Sequence, residues 1–182
     1  KDNAADVFII SNGFKDFIIP IVTEYGIIQE NVFANDLIYD ESGKIIDFNR
    51  ENPLSKNNGK SETIRSINLE GDIYVIGDGY TDYEIKASGL ANKFYAFTEN
   101  VNRPKVTSQA DHIAPSFDEI LYINKLNTKF SYPKSRIKVL LLENVHPIAL
   151  ELLKEEGYQV EVASGALSEE ELCEKINGIS IL

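Results

Sequence analysis

From Asp6 onward, short apolar runs alternate with stretches of helical periodicity: residues 7–10, then 14–25, 32–48, 60–69 and 73–76. A run of about four apolar residues suits a strand buried on both faces. An amphipathic stretch between two such runs suits the crossover helix that parallel strands require. The rhythm therefore predicts an α/β fold with a parallel sheet. One stretch departs from it. Between Val32 and Phe48 two strand-like runs flank Asp40-Glu41-Ser42-Gly43, a tight-turn sequence, which predicts an antiparallel hairpin standing as a flap on the parallel sheet. A further strand over residues 93–97 and a short helix over 116–124 continue the pattern.

Asn, Thr, Lys, Ser and Pro crowd into residues 127–135 and interrupt the periodicity as a linker does. This predicts a first domain over 1–126, a linker over 127–135 and a second domain over 136–182. In the second, residues 137–142 read as a buried strand. Pro147 suits the first turn of a helix, Gly157 its left-handed cap, and residues 158–163 the next strand. Ser168 and Glu171 have capping-box spacing before a helix that places Leu172 and Ile176 one turn apart, with Cys173 expected to be buried beside them. His146 reads as a helix-entry residue. Residues 179–182 read as a third strand, so the unit is expected to be a truncated β-α-β-α-β start. The chain has no methionine, even at its first position, and is expected to be a processed product or an internal segment of a longer polypeptide.

Composition excludes several classes of function. A formal charge of −11 repels nucleic-acid phosphates and anionic lipid, and the sequence shows no local basic patch to reverse it. Cys173 alone cannot form an internal disulfide, and His112 and His146 lack the spacing of zinc ligands. No run of about 18 apolar residues is present, and the first residues lack the layout of a signal peptide. The expectation is a cytoplasmic protein with neither a nucleic-acid nor a membrane partner. An anionic small substrate would also need a local reversal of the field, which a bound cation can supply.

Three strand-to-helix junctions carry groups suited to chemistry. In Val75-Ile76-Gly77-Asp78-Gly79-Tyr80-Thr81-Asp82 an apolar strand runs into an acidic loop and then a helix. That sets Asp78 and Asp82 at the carboxyl end of the strand, where ligands bind in open α/β sheets, as oxygen donors for a hard cation such as magnesium. Ser11-Asn12-Gly13 follows the strand at 7–10 and precedes a helix expected to start near Phe14, offering a hydroxyl and backbone amides to an anion. Lys60 opens the next helix after Asn57-Asn58-Gly59. Each feature also has a plain structural reading: a turn former and a helix-terminal acid, a cap, and a solvated lysine. Together, in chain order, they provide a phosphate cradle, a cation and a metal platform, the electrostatic parts that phosphoryl transfer needs.

This constellation resembles the haloacid dehalogenase superfamily. Residues 7–13 look like its second motif, Lys60 its third, and residues 77–82 its fourth. Val32-Phe33-Ala34-Asn35 and the hairpin after it resemble the phosphoserine phosphatase branch, and the resemblance covers residues 6 to about 123. It implies a Rossmann-like core in which Ser11, Asn12 and Gly13 bind the transferring phosphoryl group and Lys60 holds both its oxygens and the nucleophile. It also implies that Asp78 binds Mg2+ directly and that Asp82 supports the metal shell, partly through Lys60 or water. Thr81 stands where such phosphatases often have Asn and becomes a candidate substrate contact. The family's first motif, Asp-x-Asp, is absent from the chain. Because that motif supplies the nucleophile, the core is expected to be partial, to depend on an upstream motif and cap, and to be inactive alone.

Residues 137–147 and 165–172 resemble the start of D-3-phosphoglycerate dehydrogenase, a D-2-hydroxyacid dehydrogenase-like substrate domain. NAD would belong to the part of such a domain that lies downstream, not to these residues. The joined resemblances imply a bifunctional protein of serine biosynthesis acting on a small phosphomonoester, phosphatase first. Two alternatives remain open: that the dehydrogenase is the parent chain's principal activity, or that this segment is a non-catalytic phosphate- or partner-binding piece.

Overall fold

The computed structural model of the chain describes residues 3–127 and 132–182, so the middle of the predicted linker lies outside the described residues. Contacts divide the chain into two compact units. One holds the residues up to Ala96 together with Val101–Ile113, and the other Phe97–Asn100 together with Ala114–Leu182.

The first unit opens with β1 (Ile9–Phe14), which leads into α1 (Lys15–Thr23) and pairs in parallel with β2 (Val32–Asn35). Strand β1 runs further than the apolar run foretold, and Ser11, Asn12 and Gly13 lie inside it. Ile10 faces Phe33 and Phe14 faces Asn35, so the three residues between oppose Ala34 alone. The extra length forms a bulge, and the helix starts at Lys15 after an extended Phe14. The predicted flap is also redistributed. Its first apolar run splits at Asp36 into β2, which joins the parallel pair, and β3 (Leu37–Tyr39), which pairs antiparallel with β4 (Ile45–Phe48). The carboxylate of Asp40 closes the hairpin turn by accepting from the Ser42 and Lys44 amides, each at 2.9 Å.

A 3-10 turn at Pro53–Ser55 then seats α2 (Gly59–Ile67), and β5 (Tyr74–Gly77) is followed by α3 (Tyr80–Ala87). Strand β5 pairs in parallel with β6 (Lys93–Phe97), and β7 (His112–Ala114) completes a three-stranded sheet in the order β5-β6-β7. The apolar centre is formed by the buried Phe94, Ala96 and Val106, against which Val75, Tyr83 and Ala110 pack. Val106 comes from α4 (Pro104–Thr107). Periodicity missed both α4 and β7, since four and three residues are too few to show a period.

In the second unit α5 (Phe117–Ile123) starts at Ser116, whose hydroxyl accepts from the Glu119 amide at 3.3 Å. Strand β8 (Lys138–Leu141) pairs in parallel with β9 (Gln159–Val162). Between them runs α6 (Pro147–Glu155), opened by Pro147, capped by the His146 ring at the Ile148 amide and ended at Gly157 with φ +90°. The Ser168–Glu171 capping box opens α7 (Glu169–Lys175) with both reciprocal bonds formed, at 3.3 and 2.8 Å. The expected third strand is reduced to one parallel bridge, Val139 to Ile181. Cys173, expected to be buried, is exposed. Neighbours on a helix point about 100° apart, so turning Leu172 partly inward turns Cys173 to solvent. No helix among the described residues is long and apolar enough to cross a membrane.

Candidate active site

The bulge in β1 shapes the first part of the site. The Ser11 hydroxyl accepts from the Gly13 amide at 3.0 Å, which leaves its own O–H proton free to donate outward. Gly13 is suited to this close fold because a Cβ there would stand 3.2 Å from Ser11 Oγ. Asn12 is exposed, and its carbonyl accepts from Asn35 Nδ2 at 2.8 Å. Just beyond, Lys15 pairs with Asp36 at 2.8 Å and, by that hydrogen bond, holds the Asp36 carboxyl below its ordinary value.

The second part joins two helix starts. A lysine in the first turn of a helix sits against the macrodipole, so Lys60 needs a partner. It finds Asp82, with Nζ 2.6 Å from Oδ1 and only 15% and 13% of the two side chains exposed. The other oxygen of Asp82 accepts from the Gly79 amide at 3.0 Å. Gly77 makes the fold-back possible: a Cβ there would lie 2.3 Å from the Asp82 carboxylate. The arrangement fixes the Lys60 ammonium beside the carboxyl end of β5, and α2 packs on both β1 and α3.

Asp78, at that same strand end, is about half exposed and forms an ion pair with Arg103, which also donates to the Asp78 carbonyl at 2.8 Å. Sequence reasoning missed Arg103. It precedes the short α4, and nothing in its spacing announces a partner 25 residues back. Thr81 is exposed in the first turn of α3. The structure thus joins Lys60 to Asp82 and Ser11 to Gly13, while no hydrogen bond among the described residues links Ser11 to Lys60 or to Asp78.

Asp82 has both oxygens engaged by protein donors, whereas the Asp78 side chain is about half exposed beside Arg103. Among the described residues no group of three or more His, Cys, Asp or Glu could hold a metal ion. Mg2+ keeps several waters and takes only one or two carboxylates plus substrate phosphate, so the two carboxylates of Asp78 and Asp82 at this strand end fit the donor chemistry of that ion. A cavity of about 360 Å3 beside α1, lined among others by Lys15, Asp16, Asp36 and Leu37, contains none of these candidate residues.

No family model matches the chain. Known proteins do. The chain is 34% identical to the chloroplastic phosphoserine phosphatase of Arabidopsis thaliana over 125 residues, 66% of this chain and 42% of that protein. It is 46% identical over 52 residues, 29% of its length, to 13% of the D-3-phosphoglycerate dehydrogenase of Dictyostelium discoideum. Its fold matches a phosphoserine phosphohydrolase-like protein from Francisella tularensis with a TM-score of 0.58 and 28% identity, covering 64% of this chain and 54% of that one. The chain spans about half the length, or less, of these phosphatase relatives. The mixed α/β architecture with parallel sheets is that of a haloacid dehalogenase-type phosphohydrolase, and over two thirds of its length the chain is homologous to phosphoserine phosphatases.

Proposed function

We propose that this chain supplies the phosphate-holding and metal-supporting part of a Mg2+-dependent phosphomonoester hydrolase, with O-phosphoserine as the leading substrate. The observation that carries this reading is the Lys60–Asp82 pair: an ammonium, placed against its helix dipole and held by a carboxylate, at the strand end where Asp78 emerges. The Ser11 hydroxyl and the bulged backbone around it hold phosphoryl oxygens. Lys60 offsets the negative charge that develops on those oxygens during transfer. Asp78 would hold Mg2+, and a bound divalent cation supplies further neutralisation of the phosphoryl group. Asp82 keeps Lys60 in place. Thr81 is the candidate contact to the remainder of the substrate.

Phosphoryl transfer through a covalent intermediate breaks the ester P–O bond, forms a bond to a carboxylate oxygen and ends in hydrolysis by water. The 182 residues contain no Asp-x-Asp, so the nucleophile is assigned to polypeptide outside them and the chain is expected to be inactive alone. A second reading rests on the 46% identity to a D-3-phosphoglycerate dehydrogenase. In that reading the parent protein also oxidises 3-phosphoglycerate with NAD, bound outside these residues, since the sequence has no G-x-G-x-x-G loop.

The test is Mg2+-dependent phosphate release from O-phosphoserine by the chain alone and after mixing with a polypeptide that carries the missing motif, with Asp78→Asn purified in parallel. Release only from the mixture, and its loss in Asp78→Asn, is the expected result. Release by the chain alone that disappears in Asp78→Asn would overturn the claim of insufficiency. No release under any condition would favour a binding segment without catalysis.

A further inference from the structure

Asn35 is among the most buried polar side chains of the first unit, 4% exposed at the end of β2. Its amide nitrogen donates to two backbone carbonyls in separate segments: Asn12 O at 2.8 Å and Leu54 O at 3.3 Å. Those two carbonyls dictate which way the amide faces, and the consequence is unusual. Among the described residues, Asn35 Oδ1 is buried with no hydrogen-bond partner. Buried acceptors left unpaired are rare because the desolvation they suffer is not recovered. An apolar residue of similar size would avoid that loss and would also release both carbonyls.

The two segments lead to the two anion-facing groups of the site. Asn12 is the middle residue of the bulge that carries Ser11 and Gly13. Leu54 lies in the 3-10 turn Pro53–Ser55, whose Pro53 carbonyl abuts Gly59 so closely that a Cβ there would stand 2.0 Å away. Lys60 is the next residue. One side-chain amide therefore ties the bulge of β1 to the turn that seats α2, across elements far apart in sequence.

Building on the proposed phosphate site, we propose that Asn35 is its positioning residue, clamping the Ser11–Gly13 bulge to the turn that seats Lys60 so that hydroxyl and ammonium meet one phosphate together. It touches no substrate and acts through Asn12 and Leu54.

The experiment measures inorganic phosphate binding by the full chain in Mg2+ buffer, each variant being compared with the wild-type chain at the same pH, following backbone amide resonances by NMR. Asn35→Ala should weaken binding about five- to tenfold, the scale of one lost neutral hydrogen bond. It should shift the Asn12, Gly13 and Lys60 amides, while those of β6 stay in place. Asn35→Asp keeps the size of the side chain and is the deciding variant where Asn35→Ala fails to fold. Its carboxylate faces two carbonyls and should weaken binding as much, with recovery as pH falls and the introduced carboxyl gains a proton to donate. Wild-type affinity with unshifted Asn12, Gly13 and Lys60 amides in the folded variant would overturn the positioning role. Ser11→Ala and Lys60→Met, run in parallel, test the reading beneath it. Phosphate binding that survives both would overturn the phosphate site itself, whereas binding lost in them but intact in the Asn35 variants would overturn only the clamp.

Discussion

Gly59→Ala sets local propensity against packing. Alanine is the better helix former by about 1 kcal/mol, so propensity alone foresees a more stable protein. The new Cβ, however, would lie 2.0 Å from the Pro53 carbonyl oxygen, 2.6 Å from its carbon and 2.9 Å from Leu54 Cα. Ordinary contact is about 3.5 Å, so the helix start or the turn has to move by more than about 1 Å. All three obstructing atoms are backbone and cannot swing aside as a side chain does. Overpacking of this kind costs about 1–3 kcal/mol, occasionally more, and a rigid obstacle puts the figure at the upper end. The net expectation is a loss of about 2 kcal/mol, or a fall in Tm of roughly 4–8 °C for a chain of this size. Gly165→Ala is the control, since a Cβ there meets nothing within 4 Å, and it should leave stability unchanged or slightly raised. Thermal unfolding gives the magnitude, and hydrogen exchange in α2 locates it. Stability equal to or above wild type, with α2 amides equally protected, would refute the reasoning.

Three further outcomes follow from the same structure. Asp82→Ala removes an acceptor from both Lys60 and the Gly79 amide and should cost about 3 kcal/mol. Combining it with Lys60→Met should cost less than the sum of the two changes, and strict additivity in a denaturation cycle would show the pair to be uncoupled. Glu119→Gln removes the negative charge and one of the two oxygens that accept from Arg136 at 2.8 and 2.6 Å, at a side chain only 3% exposed. It should cost about 2–3 kcal/mol, kept to the low side by the exposure of Arg136, and speed hydrogen exchange in α5; unchanged exchange there would count against it. For Asp111, the Phe94 amide and then Lys86 hold the carboxyl below its ordinary value. A depressed folded-state pKa gives stability that is present above the unfolded value of about 4 and lost as pH falls through the folded one. Asp111→Asn should therefore flatten part of the acid limb of stability below about pH 4, and an unchanged slope would exclude a role for it there.

What could be read from the sequence, and what could not, divides along physical lines. The strands at 93–97 and near 138–141, and the caps at Pro147, Gly157 and Ser168, depend on run length and on residue types acting within a few positions. They appear where expected. Lys60 was legible only as one part of a constellation: taken singly, a first-turn lysine reads as solvated surface, and its link to Asp82 came from the family resemblance before the structure placed the two 2.6 Å apart. The bulge at Ser11–Gly13 was not legible, because register belongs to a pair of strands and only β2 reveals that three residues face one. Arg103 was not legible either, since its partner is supplied by tertiary approach. Cys173 turned outward because the apolar face of α7 is narrower than the simple count of its neighbours suggested.

The charges at the carboxyl end of β5 explain why a cation belongs in the proposed chemistry. Lys60 is matched by Asp82 and Arg103 by Asp78, so the four ionised groups sum to zero. They do so in a protein whose formal charge is −11. A phosphomonoester dianion brings two negative charges to that neutral site. At about 4 Å and an effective dielectric of 20, each uncompensated pair of like charges costs about 4 kcal/mol. Lys60 cannot offset both charges, since Asp82 already holds it. Release of Asp78 from Arg103 would free one positive group but expose one negative group, leaving the sum unchanged. Only an added positive charge alters the balance, and a divalent cation accompanying the phosphate at Asp78 supplies the two units required. Phosphate affinity in this chain should therefore rise steeply with Mg2+ and respond far less to monovalent salt of equal ionic strength, which only screens the repulsion from the chain's net negative charge. Equal affinity with and without Mg2+ would mean that the site carries positive charge not accounted for by Lys60 and Arg103.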